Sequence, residues 1–189
     1  VILHYFIRDR LTFLKNTNIT QYIISIFMEF GSTKTLFFLD IITKLIQISK
    51  CEFKSKHFNK LSNYMYSNSL FDCGLIIKIF TFIINENLYD DKSSLVIIIK
   101  PLLDNLKLTN NIDLLSYGIN LLNLLMNFDS VLNTLIENNS ILKILPLCQH
   151  NNDEILLKAF QFINNILLKS VPNEDFIKLF ISCFPSYKI

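Results

Sequence analysis

Metal binding and nucleophilic catalysis depend largely on histidine and cysteine side chains, and this 189-residue sequence contains few of them. Its three histidines are His4, His57 and His150. They stand far apart and form no zinc-ligand motif, and a lone histidine is usually a surface or helix-capping residue. Its four cysteines are Cys51, Cys73, Cys148 and Cys183. They form no Cys-x-x-Cys pair and lie among apolar neighbours, which predicts buried free thiols in a reducing compartment and no metal site.

The motifs of hydrolases and of phosphate-binding loops require glycine-rich turns. The sequence has no Gly-x-Ser-x-Gly segment, and its three glycines are too few for most phosphate-binding loops. Paired acids occur at Asp90 and Asp91 and at Asp153 and Glu154. Each pair falls where a helical pattern begins, and a carboxylate there interacts favourably with the positive end of the helix dipole. We therefore predict a protein that is not an enzyme and holds no cofactor.

The composition favours an all-helical fold. Apolar residues make up 51% of the chain, which has only three glycines, four prolines and no tryptophan. Strands need frequent glycine and proline turns, whereas helices joined by Asn, Asp and Ser do not. The net charge of +2 comes from acidic and basic residues mixed along the chain, so we expect no nucleic-acid partner.

Apolar residues recur at a spacing of three to four positions, in helical segments of two lengths. Long helices are predicted over 35–48, 70–85, 112–126 and from Asn152 or Asp153 onwards. Further helices are predicted over 2–15, 19–30, 51–66, 131–136, 141–148 and 173–184, with breaks at 16–18 and at Gly31 and Ser32. A further helix over 95–108, starting from Asp91 or Ser93, contains Pro101, where we expect a kink or a restart.

The long helices align with one another. Gly118 in SYGINLLNLLM matches Ala159 in LKAFQFINNIL, about 40 residues later, which is within the range of HEAT and armadillo repeats. We expect both small residues to lie at close helix contacts. The alternative is a helical bundle without repeats, whose apolar stripes agree by chance.

Two segments resemble the armadillo repeat family. TLIENNSILKILPLC is similar to its first two helices, with Asn138 or Asn139 where the family has a glycine. KAFQFINNILL is similar to its long third helix, whose signature positions hold Ala159, Ile163 and Asn165. Pro101 and Pro146 fall near the family's proline. HEAT-like repeats remain the alternative within the same architecture.

This resemblance implies a right-handed α-solenoid that spans residues 1–189 as one array. The approximate repeats are 1–50, 51–87, 88–127, 128–170 and a partial 171–189. Val1 stands where an initiator methionine is expected, and both ends of the sequence lie within apolar helical patterns. We therefore expect a piece of a longer protein.

The resemblance also implies a binding surface. In armadillo proteins the third helices line a concave groove, where a tryptophan and an asparagine four residues later hold an extended peptide. The tryptophan positions here are filled by Thr43, Thr81, Asn120 and Gln161. The asparagine positions are filled by Gln47, Asn85, Leu124 and Asn165, with Asn123 beside the leucine. Leaving out Leu124, we call these residues the polar ladder.

Residues four apart share a helix face, and side-chain amides match the donors and acceptors of a peptide backbone. The lack of tryptophan argues against recognition of lysine-rich nuclear-localisation peptides. The alternative is that the ladder is only the solvated face of amphipathic helices.

The leading hypothesis is a cytoplasmic, or alternatively nuclear, scaffold that binds a protein or an extended peptide. A second hypothesis is a regulatory or docking segment of a larger kinase-like or formin-like protein. A third is a membrane-associated helical protein. The most apolar run, 70–84, is shorter than the roughly 20 residues of a membrane span and contains Asp72 and Lys78. We therefore expect no membrane span, and the sequence does not define an oligomeric state.

Overall fold

The computed structural model describes residues 17–30, 35–66, 70–137, 141–169 and 178. These residues form nine α-helices and two 3₁₀ segments. The helices are α1 (Thr17–Phe30), α2 (Thr35–Ser49), α3 (Ser55–Tyr64), α4 (Leu70–Asn85), α5 (Ile99–Leu108), α6 (Ile112–Leu125), α7 (Asp129–Glu137), α8 (Ile141–Ile144) and α9 (Asp153–Lys169). The first 3₁₀ segment, Lys92–Ile98, precedes α5, and the second, Leu145–Gln149, follows α8. Over the described residues the chain is all-α, as its composition predicts.

The longer helices α2, α4, α6 and α9 pack against one another in chain order. The remaining elements, which we call the shorter elements although α1 equals α6 in length, form a second layer. In it α1 packs on α3, α3 on the first 3₁₀ segment, that segment on α7, and α5 on α8. The layers meet where α1 packs on α2, α3 on α4, α5 on α6, and the second 3₁₀ segment on α9. Each longer helix therefore packs against the shorter element that precedes it and against the longer helices beside it.

Asparagine and aspartate side chains begin three of these elements. The Oδ1 atom of Asn111 accepts a 2.9 Å hydrogen bond from the amide of Leu114 at the start of α6. Asn152 accepts from the amides of Glu154 and Ile155 at the start of α9, and Asp91 accepts from Ser93 before the first 3₁₀ segment. These bonds satisfy amides that have no partner within the helix. They confirm the predicted starts and identify Asn152 and Asp91 as the capping residues.

The two described prolines in these helices lie at changes of helical type. The predicted restart at Pro101 occurs two residues earlier, at Ile99, where the first 3₁₀ segment passes into α5. Pro101 then lies in the first turn of α5, where an amide proton would have no partner within the helix. Pro146 lies near the start of the second 3₁₀ segment. The prediction of a single helix over 141–148 is therefore wrong, because this stretch is divided between α8 and that segment.

The prediction of a helix over 51–66 is wrong at its start, because the helix is Ser55–Tyr64 and Phe53 forms a bridge with Tyr89 instead. The remaining predicted boundaries agree within about two residues, and 70–85 is the exact extent of α4. The break predicted at 16–18 is wrong in part, because α1 already begins at Thr17. The predicted helix 2–15, the predicted helix 173–184 apart from residue 178, Gly31, Ser32 and the Asn138–Asn139 break lie outside the described residues.

One continuous apolar core joins the two layers. Its largest fully buried side chains include Phe53, Phe58, Phe80 and Phe162. Phe58 of α3 stacks on Phe80 of α4 with ring centroids 5.9 Å apart, and Phe53 meets Phe58 edge-on at 6.3 Å. Aromatic pairs at these distances add to the stabilisation from burial alone. This cluster holds α3 against α4.

His57 is buried at the start of α3, with only 3% of its surface exposed. Its Nδ1 atom accepts a 3.2 Å hydrogen bond from the amide of Lys54, so the ring proton lies on Nε2, 3.3 Å from the hydroxyl of Ser25 in α1. Burial, together with the charges of Lys56 and Lys54 and against an opposing contribution from Asp90, lowers the pKa of His57 to about 4. The neutral imidazole therefore caps α3 and joins it to α1.

The free energy of unfolding is expected to fall as the pH decreases from about 6.5 towards 4. His57 in the unfolded chain takes up a proton near its ordinary pKa of 6.5, whereas the folded residue does so only near pH 4. This difference in pKa destabilises the folded state by about 3 kcal/mol at pH 4 and has no effect well above pH 6.5. Urea denaturation at a series of pH values measures the free energy of unfolding. Between pH 6.5 and 4 it should fall by about 3 kcal/mol less in a His57→Asn variant than in the wild type. Identical pH profiles for the wild type and the His57→Asn variant would contradict the assignment.

Two glycines lie inside longer helices but have different surroundings. A methyl group on Gly118 of α6 would lie 2.5 Å from Cδ2 and 3.1 Å from Cγ of the buried Leu106 in α5. A methyl group on Gly74 of α4 would lie at an ordinary 3.7 Å from Leu114 Cδ1. The predicted close contact at Gly118 is confirmed, although the neighbour is the preceding shorter helix. Ala159 is fully buried in α9.

Gly118→Ala and Gly74→Ala form a matched pair of substitutions. Both should gain the roughly 1 kcal/mol by which alanine exceeds glycine in helix propensity. Only Gly118→Ala should also lose about 1 to 3 kcal/mol through overpacking against Leu106. Urea denaturation should therefore find Gly74→Ala at least as stable as the wild type and Gly118→Ala about 1 to 3 kcal/mol below Gly74→Ala. Equal stability of the two variants would argue against the close α5–α6 contact.

Candidate functional site

The described thiols are buried and poorly suited to nucleophilic chemistry. Cys51, Cys73 and Cys148 lie in the core, whereas Cys183 lies outside the described residues. Burial, together with the charge of Asp72, raises the pKa of Cys73 to about 11, and burial alone raises the pKa of Cys148 to about 11. A thiol with such a pKa is almost entirely protonated at neutral pH, and the thiolate is the reactive form.

The two described histidines take part in backbone hydrogen bonds. His57 accepts from Lys54, and the Nδ1 atom of His150 accepts a 3.0 Å bond from the amide of Asn152 just before α9. His4 lies outside the described residues. Within the described ranges, no group of three or more His, Cys, Asp or Glu side chains is placed to hold a metal ion.

The paired acids lie at element starts and in surface networks. Asp91 caps the first 3₁₀ segment, and Asp153 and Glu154 begin α9. Glu154 accepts hydrogen bonds from Lys158 at 2.7 Å and from Ser116 of α6 at 3.0 Å, and these two bonds lower its pKa. Lys158 also donates to Ser116. This three-residue network joins α6 to α9 at the surface, which gives these acids a structural role.

The polar ladder lies on the four longer helices, and none of its members is fully buried. Its exposed members are Gln47, Asn85, Asn120 and Gln161. Its half-buried members are Thr43, Thr81, Asn123 and Asn165. The ladder therefore occupies positions that remain accessible after the longer helices have packed together.

The two threonines of the ladder use their hydroxyl protons within their own helices. Thr43 donates to the carbonyl of Leu39 and Thr81 to that of Ile77, each at 2.8 Å. Threonine commonly makes this bond to the carbonyl four residues earlier. Each hydroxyl oxygen is then available to a ligand mainly as an acceptor.

Two amides of the ladder are joined directly. Asn165 of α9 donates from Nδ2 to Oδ1 of Asn123 in α6 over 3.2 Å. Leu124, the neighbour of Asn123 that was left out of the ladder, packs against the core. Asn123 thus supplies the polar group where α6 and α9 meet.

A cleft between α4 and the first turns of α6 was not predicted from the sequence. Its volume is about 370 Å³, and its lining includes Gly74, Lys78 and Tyr117. The Nζ atom of Lys78 lies over the Tyr117 ring, 4.5 Å from its centroid. The sequence gives only a weak indication of this cleft, because Gly74 is the one feature that could suggest it and is simply a small residue in an apolar helix. We call this feature the Gly74 cleft.

Comparison with protein-family models, with curated proteins and with solved structures finds no match to this chain. A functional assignment therefore depends on the geometry of the polar ladder and of the Gly74 cleft.

Of the helices described, none is by itself long and apolar enough to cross a membrane. Taken together, α6 and α7 are long and apolar enough for a membrane span, but the chain bends by 116° between them.

Proposed function

We propose that this chain is an armadillo-like or HEAT-like α-solenoid without catalytic activity, which binds an extended polypeptide along the exposed strip of its longer helices. The polar ladder supplies the hydrogen-bonding groups of that strip. The proposal has two parts, a repeated architecture and a binding surface, and a different observation supports each.

The repeated architecture is supported by the spacing of hydrogen bonds between elements. Among the described residues, six such pairs are joined through side chains, with their members 36 to 42 positions apart. They are Lys50 with Glu86, Asn105 with Met65, Lys143 with Asp104, Ser116 with Glu154, Asn165 with Asn123, and Lys169 with Asn127. Side-chain bonds from α1 span 31 and 32 positions. A nearly constant separation is expected when similar units of about 40 residues stack in order.

The same spacing recurs in the connections that follow the longer helices. Phe53, Tyr89 and Phe128 follow α2, α4 and α6, respectively. Phe53 and Tyr89 form an isolated parallel bridge, and the rings of Tyr89 and Phe128 meet edge-on at 5.8 Å. Such contacts are expected when equivalent positions of consecutive units lie side by side, and they support the proposed repeats.

The binding surface is supported by the Asn123–Asn165 bond, which carries the functional part of the proposal. The bond joins amides on neighbouring longer helices, and the exposed Asn120 and Gln161 lie within one turn of them. Each amide offers two N–H groups and a carbonyl oxygen, the same groups that a peptide backbone presents. An extended peptide crossing α6 and α9 would therefore find donors and acceptors on both helices.

The test begins by selecting ligands from a library of displayed random 16-residue peptides with the purified chain. Selected peptides should bind an Asn85→Ala, Gln161→Ala, Asn165→Ala variant at least tenfold more weakly. Three lost hydrogen bonds, each worth roughly 0.5 to 1.5 kcal/mol, are sufficient for that reduction. Fluorescence polarisation of labelled peptides measures the change.

The matched control removes three amides from the layer of shorter elements. Asn63, Asn133 and Gln149 are exposed there, and their triple replacement by alanine should leave peptide affinity within twofold. Circular dichroism and urea denaturation establish that both variants are folded. Equal affinity of the ladder variant and the wild type, or a larger loss in the control, would refute a binding surface on the longer helices.

A further inference from the structure

The Gly74 cleft has an apolar floor, which exists because residue 74 has no side chain. The Gly74 backbone faces Leu114 of α6 across a gap in which a methyl group would still be 3.7 Å from Leu114 Cδ1. Leu114 is buried, and Leu75 adds a half-buried side chain to the lining. The volume of about 370 Å³ is at the small end of the roughly 300 to 1,000 Å³ typical of ligand pockets. It suits a single apolar side chain together with its backbone.

The rim of the cleft carries two opposite charges that are not paired with each other. Lys78 is exposed and extends over Tyr117, and Asp113 is exposed in the first turn of α6. Among the described residues, neither takes part in an ion pair. The other polar lining residue, Asn111, caps α6 through its side-chain oxygen. The cleft therefore presents one positive and one negative group beside an apolar floor.

The cleft continues into the polar ladder. Thr81 follows Lys78 by three residues on α4, and Asn120 follows Tyr117 by three residues on α6. Residues at this spacing are neighbours on one helix face. A chain lying along the ladder would thus reach the cleft without leaving the strip formed by α4 and α6.

We propose that the Gly74 cleft is the anchor pocket for a large apolar side chain of the bound peptide. An acidic residue on one side of that side chain pairs with Lys78, and a basic residue on the other side pairs with Asp113. This inference rests on the proposed peptide-binding function and adds a sequence preference to it. The ladder amides contact the peptide backbone and accept many sequences, whereas the cleft selects for an apolar residue between opposite charges.

The cleft can be tested with short peptides of defined sequence. The probes are the capped pentapeptides Gly-Glu-Leu-Lys-Gly and Gly-Lys-Leu-Glu-Gly, each compared with its counterpart that has serine in place of leucine. Titration of the ¹⁵N-labelled chain should give saturable shifts of the Gly74 and Tyr117 amides with one leucine peptide, with a dissociation constant of about 1 mM, which is typical of weak binding. The serine counterpart should bind at least fivefold more weakly. Equal shifts with leucine and serine peptides, or no shift at these amides, would overturn the proposal.

Variants then test the floor and the rim separately. Gly74→Leu fills the cleft and should abolish the shifts. Lys78→Glu changes only an exposed side chain, so it tests the cleft even if Gly74→Leu does not fold, and it should reduce affinity at least fivefold. Retention of wild-type affinity by either folded variant would count against the anchor pocket.

The two proposals fail in different ways in the displayed-peptide experiment. If the ladder variant loses affinity and the folded Gly74→Leu and Lys78→Glu chains keep it, the peptide-binding function stands and the anchor pocket is wrong. If the two cleft variants lose affinity and the ladder variant keeps it, the cleft binds peptide and the ladder does not. Selected peptides that lack an enriched apolar residue between opposite charges would also contradict the anchor pocket.

Discussion

The burial of a wide apolar surface on each longer helix is the constraint on which the rest of the structure depends. The buried residues of α6 extend from Leu121 and Leu114 at one edge to Ile119 at the other, an arc of roughly 160° at 100° per residue, which is more than one neighbour can shield. The helix therefore packs on α4, α5 and α9 together. Apolar area removed from water contributes roughly 25 cal/mol per Å², so loss of any one neighbour would expose enough surface to destabilise the helix. The positions of the longer helices are consequently interdependent.

The same packing limits where function can reside. After the apolar face of α6 is buried against its neighbours, a strip of the helix that contains Asp113, Tyr117 and Asn120 remains exposed. The corresponding strip of α4 contains Lys78 and Asn85. Polar side chains on this strip keep the helices compatible with water and at the same time supply hydrogen-bonding groups. A polar strip is thus required by the fold, and its use as a binding surface depends on how its side chains are arranged across neighbouring helices.

The sequence predicts features that are local to one helix and misses features that arise between helices. The limits of α4 follow from a continuous apolar run between polar breaks, and the cap at Asn152 follows from an amide side chain ahead of a helical pattern. The change of helical type at Ile99 is harder to locate, because Pro101 is tolerated throughout the first turn of a helix. The polar character of Asn123 and Asn165 is visible in the sequence. Their bond and the Gly74 cleft are not, because both depend on the register between neighbouring helices.

The bond between Asn123 and Asn165 also determines which groups remain for a ligand. Asn165 uses one N–H and Asn123 uses one lone pair of its Oδ1 atom in this bond. Asn123 therefore keeps its two N–H groups, and Asn165 keeps its second N–H and its carbonyl oxygen. Because each side chain fixes the orientation of the other, less rotamer freedom is lost when a ligand binds than at two independent amides. A mutual bond between helices thus helps to hold the packed layer together and orients the remaining donors and acceptors.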